Sequence, residues 1–196
     1  MSNINSNIPS LSSFYQSIIF ILYLCIGFIP NLEAVDKIAP QWLFMSFLNV
    51  FTGLFILRSK NIFDQIISIH FRSLINLIYM FFILWSAVSV FYALNPTEVV
   101  VNISRQFNVF FMYSNMTILL LSIKNKTRFF PLVISVILGI EIYFVFYQAI
   151  EMLNDSGQII SANLKGVTAN RNIAAFSIAL KIPFLLYLVI KFEKTK

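Results

Sequence analysis

Six apolar stretches, separated by short polar segments, dominate the pattern of hydrophobic and polar positions. They cover residues 14–30, 42–57, 73–94, 107–123, 129–150 and 172–190. An α-helix needs about 20 consecutive apolar residues to cross a bilayer, with a range of roughly 17–25. We therefore predict an all-α fold: a polytopic transmembrane helix bundle of about six spans, forming a single membrane domain over residues 1–196.

The polar segments between these stretches carry signals for helix ends. Asn95 and Pro96 end the third stretch, and Pro96 followed by Glu98 is typical of the first turn of a new helix. Residues 61–72 mix charged residues with Ile and Phe, which predicts a short helix along the cytoplasmic surface. His70, the only histidine, lies there, and we expect it to be an interfacial polar residue rather than a metal ligand or catalytic base.

The composition favours a membrane environment. The chain is 59% hydrophobic and only 11% charged, whereas a soluble domain usually carries about 25% charged residues. The net charge of +6 comes from short cation clusters between apolar stretches, a pattern typical of membrane topology rather than of nucleic-acid binding. The single cysteine excludes an intrachain disulfide and a site built from several cysteines, and we expect neither a metal nor another cofactor.

The distribution of cations predicts the orientation, because cytoplasmic loops carry an excess of Lys and Arg. With the N-terminus inside, the inner side holds Arg58, Lys60, Arg72, Lys124, Lys126, Arg128, Lys191, Lys194 and Lys196. The outer side holds only Lys37, Arg105, Lys165 and Arg171. We therefore expect both termini in the cytoplasm and the polar segment before the sixth span outside it.

Two charged residues, Glu141 and Lys181, fall inside apolar stretches, where a charge costs about 2.5–3.5 kcal/mol on insertion scales. Each lies about 13 Å below the outer boundary of its span, at a rise of 1.5 Å per residue. The two spans are consecutive and antiparallel, so the side chains can pair. A structural ion pair, a functional role in a polar cavity, and a Lys181 side chain that snorkels outward without a partner remain alternatives.

The polar segment before the sixth span has the composition of an anion site. Asn170 and Asn172 lie just before the predicted helix, which we expect Asn172 or Thr168 to cap, and Lys165 and Arg171 add two cations. Free N–H groups and the positive end of the helix dipole would favour a phosphate or diphosphate there. Arg105, in the preceding outer segment, would be a third cation. An ordinary charged loop before a capped helix explains the same residues.

The spacing Gly166-x-x-x-Asn170-x-Asn172, followed by an apolar helix with Pro183, resembles a segment of the O-antigen ligase and O-antigen polymerase superfamily. Residues 36–43 are similar to the first outer loop of some ligase-like proteins. Residues 85–96 are similar to the family's span that ends in Ser, an aromatic residue, Ala and an Asn-Pro loop. Taken together, the three segments make the chain resemble the N-terminal half of a ligase-like protein.

The resemblance implies a metal-independent glycosyltransferase of the bacterial inner membrane that acts in lipopolysaccharide biosynthesis. Such an enzyme moves a glycan from an undecaprenyl-diphosphate carrier to the lipid A core or a similar acceptor. By position, Lys165 and Arg171 would contact the diphosphate, since cations can stabilise this leaving group without a metal.

This sequence departs from the family in having six spans rather than around a dozen. It also lacks an outer histidine, and Arg171 stands where the family often has Pro. We therefore expect the chain alone to be inactive and to need a C-terminal half or partner chain. A non-catalytic membrane subunit and a small transporter that uses Glu141 and Lys181 are the competing hypotheses.

Overall fold

The structure, a computed structural model, describes residues 10–30, 32–33, 36, 38–168 and 170–193. It contains seven α-helices within these ranges: α1 (Ser10–Leu24), α2 (Ala39–Arg58), α3 (Lys60–Phe71), α4 (Leu74–Val88), α5 (Pro96–Ser122), α6 (Lys126–Ser156) and α7 (Arg171–Glu193). Three short 3₁₀ helices cover Ile26–Phe28, Ser89–Phe91 and Ser161–Asn163. No strand occurs in the described ranges, so the predicted all-α class is confirmed for them.

Among the residues that the structure describes, four helical segments are long and apolar enough to cross a membrane: Ala39–Arg58, Leu74–Phe91, Lys126–Ser156 and Arg171–Glu193. They overlap the second, third, fifth and sixth predicted spans. The first predicted span overlaps the shorter helix α1, and the fourth overlaps α5. The chain therefore has the helices of a membrane protein, while the number of six spans and the location of the termini stay predictions.

The chain divides into two compact units, Met1–Lys124 and Asn125–Lys196. In the first unit, α5 is the central helix and packs against α1, α2, α3 and α4. The core of this unit includes a cluster in which Phe63 of α3 packs with Ile56 of α2 and Ile118 of α5. Phe63 is fully buried, as is Leu119 of α5, so α5 ties the short helix α3 to the rest of the unit.

The second unit is an antiparallel pair of helices, α6 and α7. Phe130, near the start of α6, packs edge-to-face against Phe184 in the second half of α7, with ring centroids 5.1 Å apart. At the other end, the segment 157–170 joins the two helices. Gly157 ends α6 with a φ of +67°, a left-handed conformation typical of glycine after a helix.

Two helix boundaries differ from the apolar pattern. Helix α5 begins at Pro96, eleven residues before the apolar stretch at 107, because Asn95 caps it: its Oδ1 accepts a hydrogen bond from Glu98 N at 3.3 Å. The helix start expected at Pro96 is thus confirmed. Helix α6 continues to Ser156 rather than ending near residue 150, so the connection to α7 is shorter than predicted.

His70 of α3 lies in a different environment from the one predicted. The helix itself is present as expected, but the side chain is only 3% exposed. Its ring lies 5.4 Å from the ring of Tyr113, centroid to centroid. The expectation of an interfacial residue is therefore wrong: the imidazole packs against an aromatic side chain of α5, and this burial lowers the pKa of His70 from its ordinary value.

Candidate functional site

The side chain of Gln148 in α6 binds the segment before α7. Its Oε1 accepts hydrogen bonds from the backbone N–H groups of Lys165 (3.1 Å) and Gly166 (2.9 Å). Its Nε2 donates to the Gly166 carbonyl at 3.0 Å. The amide therefore satisfies three backbone groups of a segment that has no regular secondary structure at this point.

The backbone conformation of Gly166 favours glycine at this position. Its φ of +56° is a left-handed conformation that residues with a Cβ rarely adopt. A Cβ placed there would make ordinary van der Waals contacts, 3.4 Å from Val145 Cγ2 and 3.5 Å from Ala174 Cβ. The glycine thus allows the backbone to turn sharply while it lies against both α6 and α7.

Asn170 caps α7, whereas we expected Asn172 or Thr168 to do so. The Asn170 Oδ1 accepts from Asn172 N at 2.9 Å and from Ile173 N at 3.5 Å. Asn172 lies one residue inside the helix, which begins at Arg171. Thr168 Oγ1 instead donates to the carbonyls of Asn170 (2.8 Å) and Lys165 (3.1 Å). The prediction of free N–H groups at this helix end is therefore wrong in part, because the cap occupies two of them.

The predicted cations at the start of α7 are available to a ligand. Lys165, Arg171 and the side chain of Asn172 are all exposed. The positive end of the α7 dipole adds to their field. Since Asn170 already occupies two backbone donors, an anion here would be held mainly by the two cationic side chains and by the dipole.

Glu141 and Lys181, the two predicted intramembrane charges, contact each other. Lys181 Nζ lies 2.8 Å from both carboxylate oxygens of Glu141. The lysine and glutamate side chains are 18% and 11% exposed, respectively. Ser177, one helical turn before Lys181, also donates to Glu141 Oε1 at 3.2 Å and accepts from Lys181 Nζ. In this arrangement the Lys181 Nζ contacts both the Glu141 carboxylate and the Ser177 hydroxyl.

The segment before α7 and the ion pair border one small cleft. Glu141 and Val145 of α6, Ala174 of α7 and the backbone turn at Gly166 line it. Its volume has room for about one water molecule. The glycine motif and the buried carboxylate, which lie 25 residues apart in sequence, are thus parts of a single packed site.

Arg105, the third predicted cation, has internal partners within the first unit. It lies inside α5 rather than in a loop, and its guanidinium group is 3.3 Å from Asp36 Oδ2. The same group lies over the Trp42 ring, 5.8 Å from the centroid. Arg105 therefore joins the Asp36 turn to the start of α2 and is only partly exposed, which reduces its availability for a phosphate.

A hydrogen-bonded set of polar side chains in the first unit was not predicted from the sequence. We call it the polar seam: Tyr23, Asn49 and Asn115, which are buried, together with the half-buried Asn108 and the exposed Ser46. Tyr23 Oη donates to Asn49 Oδ1 at 2.9 Å, and Asn115 Nδ2 donates to Tyr23 Oη at 3.0 Å. Asn49 Nδ2 donates to Asn108 Oδ1, and Asn108 Nδ2 donates to Ser46 Oγ at 2.9 Å. Hydrogen bonds of this kind hold apolar helices together where packing alone is not selective.

Metal ligands do not come together in the described ranges. No group of three or more His, Cys, Asp or Glu side chains within them has a geometry that could hold a metal ion. The charged groups of the candidate site are the exposed cations Lys165 and Arg171 and the Glu141–Lys181 ion pair.

Comparison with known proteins adds no relative: no family model matches the sequence, and no curated protein and no solved structure matches it at a significant level.

Proposed function

We propose that this chain is an O-antigen ligase-like membrane glycosyltransferase, or part of one. It would take a glycan from an undecaprenyl-diphosphate carrier in the bacterial inner membrane and transfer it to the lipid A core or a similar acceptor. The observation that carries the proposal is the start of α7, where Gly166 and Asn170 of the family-like spacing build a capped helix end beside the exposed cations Lys165 and Arg171.

The structure gives a physical role to two residues of that spacing. Gly166 allows the left-handed turn against α6 and α7, and Asn170 caps the helix. Lys165 directly precedes the turn at Gly166, and Arg171 is the first residue of α7. In the proposed function, these two cations and the helix dipole stabilise the charge that develops on a diphosphate leaving group. This charge stabilisation needs no metal.

The experiment replaces Lys165 and Arg171 with Ala, singly and together, in the intact glycan-assembly system. We expect the double variant to lose transfer by about 100-fold or more, the scale for removing charge stabilisation at a leaving group. Arg128→Ala is the matched control, because it removes one exposed cation from the same unit near the beginning of α6. Equal transfer by the double variant and by the control would exclude the proposed role.

A non-catalytic membrane subunit is the second candidate, and a specific observation favours it. Several polar groups expected at the site have partners within the chain: Arg105 pairs with Asp36, and Glu141 pairs with Lys181. A subunit of this kind would need these contacts for folding and assembly only. It would tolerate loss of Lys165 and Arg171 but lose assembly when the Glu141–Lys181 pair is broken, which is the opposite of the result expected for the transferase. The same pairing disfavours the transporter hypothesis, because ion coupling would have to break it in each cycle.

A further inference from the structure

A second concave site lies in the first unit, between the end of α4 and the beginning of α5. This cleft has a volume of about 300 Å³, at the lower end of the range for small-molecule sites. Its lining comprises Trp85, Ser86, Ser89, Tyr92, Val99, Asn102, Ile103 and Gln106. None of the cations assigned to the diphosphate lines it.

The cleft follows from the sizes of the side chains along the two helices. At one end of the helix pair, the ring of Tyr79 packs against Phe110 with centroids 5.4 Å apart. Toward the other end, α4 presents the small residue Ser86, and the 3₁₀ helix that follows α4 begins with the small residue Ser89. Small side chains leave space between two helices that larger side chains hold together further along.

The lining is polar but uncharged. Asn102 and Gln106 lie one turn apart on α5, on the face that also carries Val99 and Ile103. The Gln106 Oε1 is buried and has no hydrogen-bond partner among the described residues. A buried acceptor of this kind needs a donor from water or from a ligand. Each amide side chain can both donate and accept, as a hydroxyl group can.

Two aromatic side chains complete the cleft. Trp85 and Tyr92 are 63% and 70% exposed, respectively, so their rings remain available to a ligand. An aromatic ring combines an apolar face with a polar handle. A sugar ring carries apolar C–H groups on its faces and hydroxyl groups on its rim, so it matches both the aromatic rings and the amides of this lining. An anion would find no cation in the lining, and an alkyl chain would leave the two amides unpaired.

We propose that this cleft binds one neutral sugar unit, with Asn102 and Gln106 hydrogen-bonded to its hydroxyl groups and Trp85 against its apolar face. The preference for hydroxyl groups rests on the lining alone. The identification of the sugar as a unit of the transferred glycan rests on the proposed function.

The two tryptophans of the chain allow a direct test. Trp42→Phe leaves Trp85 as the only indole, and Trp85→Phe leaves Trp42. Each protein is placed in phosphatidylcholine nanodiscs, without a glycoside detergent, and titrated with methyl β-glucoside or with methyl N-acetyl-β-glucosaminide. We expect a saturable change in Trp85 fluorescence with a dissociation constant on the order of 1 mM, as befits a ligand of this size, and no change in Trp42 fluorescence.

Two further variants, made in the Trp42→Phe background, assign the contact. Gln106→Ala should weaken binding about tenfold, the change expected when a hydrogen bond in a partly buried site is lost. Ser104→Ala, at an exposed position of α5 outside the cleft, should leave binding unchanged. Equal titrations of these two variants, or an equal response to glycerol, would overturn the proposal.

A second experiment distinguishes a free sugar from the headgroup of a glycolipid. In it, a glucosyl diacylglycerol is added to the nanodisc instead of the free glycoside. A response to both ligands indicates that the sugar ring alone is recognised. A response to the glycolipid only indicates a sugar presented from the membrane, and a response to neither contradicts the proposal. The glycan transfer of the Lys165→Ala and Arg171→Ala variants tests the cations before α7 independently, so failure of the cleft and failure of the diphosphate site give different results.

Discussion

Breaking the Glu141–Lys181 ion pair should destabilise the second unit strongly. The Lys181 Nζ is 2.8 Å from both Glu141 oxygens, and both side chains are less than one-fifth exposed. At this separation and an effective dielectric constant of about 20, the attraction is about 6 kcal/mol. Desolvation offsets much of it, so we expect Lys181→Met to lower the free energy of unfolding by about 3 kcal/mol, the lower end of the range for breaking a buried pair.

The double variant separates the pair from the individual side chains. Glu141→Gln leaves the Lys181 cation without its carboxylate and should also cost about 3 kcal/mol. With both changes, no buried charge remains, and the loss should be only about 1 kcal/mol because two neutral side chains replace the pair. The double-mutant cycle should therefore give a coupling free energy well above about 2 kcal/mol.

Reversible unfolding in mixtures of mild detergent and sodium dodecyl sulfate, followed by circular dichroism, measures these free energies. The exposed Asp36–Arg105 pair is the internal control, since its side chains are 48% and 42% exposed. The cycle of Asp36→Asn and Arg105→Met should give a coupling below about 1 kcal/mol. Additivity of the Glu141 and Lys181 variants within about 0.5 kcal/mol would refute the reasoning, because independent sites behave in that way.

Three further changes test the loop and the buried histidine. Gly166→Ala should lower the free energy of unfolding by about 1–2 kcal/mol, because its φ of +56° disfavours a Cβ, whereas Gly139→Ala in open space within α6 should be neutral or raise it by up to about 1 kcal/mol. Gln148→Leu should accelerate hydrogen exchange of the two loop amides that it binds by about tenfold or more, and unchanged exchange would show that other contacts fix the loop. Burial lowers the pKa of His70 below its ordinary value of about 6.5. Because the unfolded chain therefore binds a proton on His70 more tightly than the folded chain does, the free energy of unfolding should fall as the pH decreases through about 6.5. His70→Phe should remove this part of the pH dependence, and identical pH profiles for the two proteins would contradict it.

The sequence was sufficient where a physical constraint is local or follows from helix geometry. Pro96 followed by Glu98 predicted a helix start, because proline has no N–H group to leave unpaired in a first turn and a carboxylate is favourable at the positive end of a helix. The contact between Glu141 and Lys181 could be predicted because each lies nine residues from the outer boundary of its apolar stretch, at residues 150 and 172, although α6 itself continues to Ser156. Helices of regular rise bring such positions to the same level.

The site contacts that depend on a second element could not be read from the sequence. Gln148 lies near the end of the apolar stretch 129–150, and only the folded chain shows that its amide binds the backbone at Gly166. The predicted caps of α7, Thr168 and Asn172, each lie two residues from the observed cap, Asn170. All three side chains can cap a helix, and backbone geometry selects among them. A buried His70 was missed because neither the segment nor the residue type reveals that Tyr113 covers it.

Helix α5 shows how an apolar pattern can miss both the beginning of a helix and the face by which it packs. Its predicted span began at residue 107, since polar residues before and within it reduce the local hydropathy. Two of these polar residues, Asn108 and Asn115, are seven residues apart and therefore lie on one face. That face is buried against Tyr23 and Asn49, so their amides are hydrogen-bonded inside the unit rather than exposed to lipid. A hydropathy scale counts such amides against the helix, whereas at heptad spacing they indicate where a neighbouring helix will bind it.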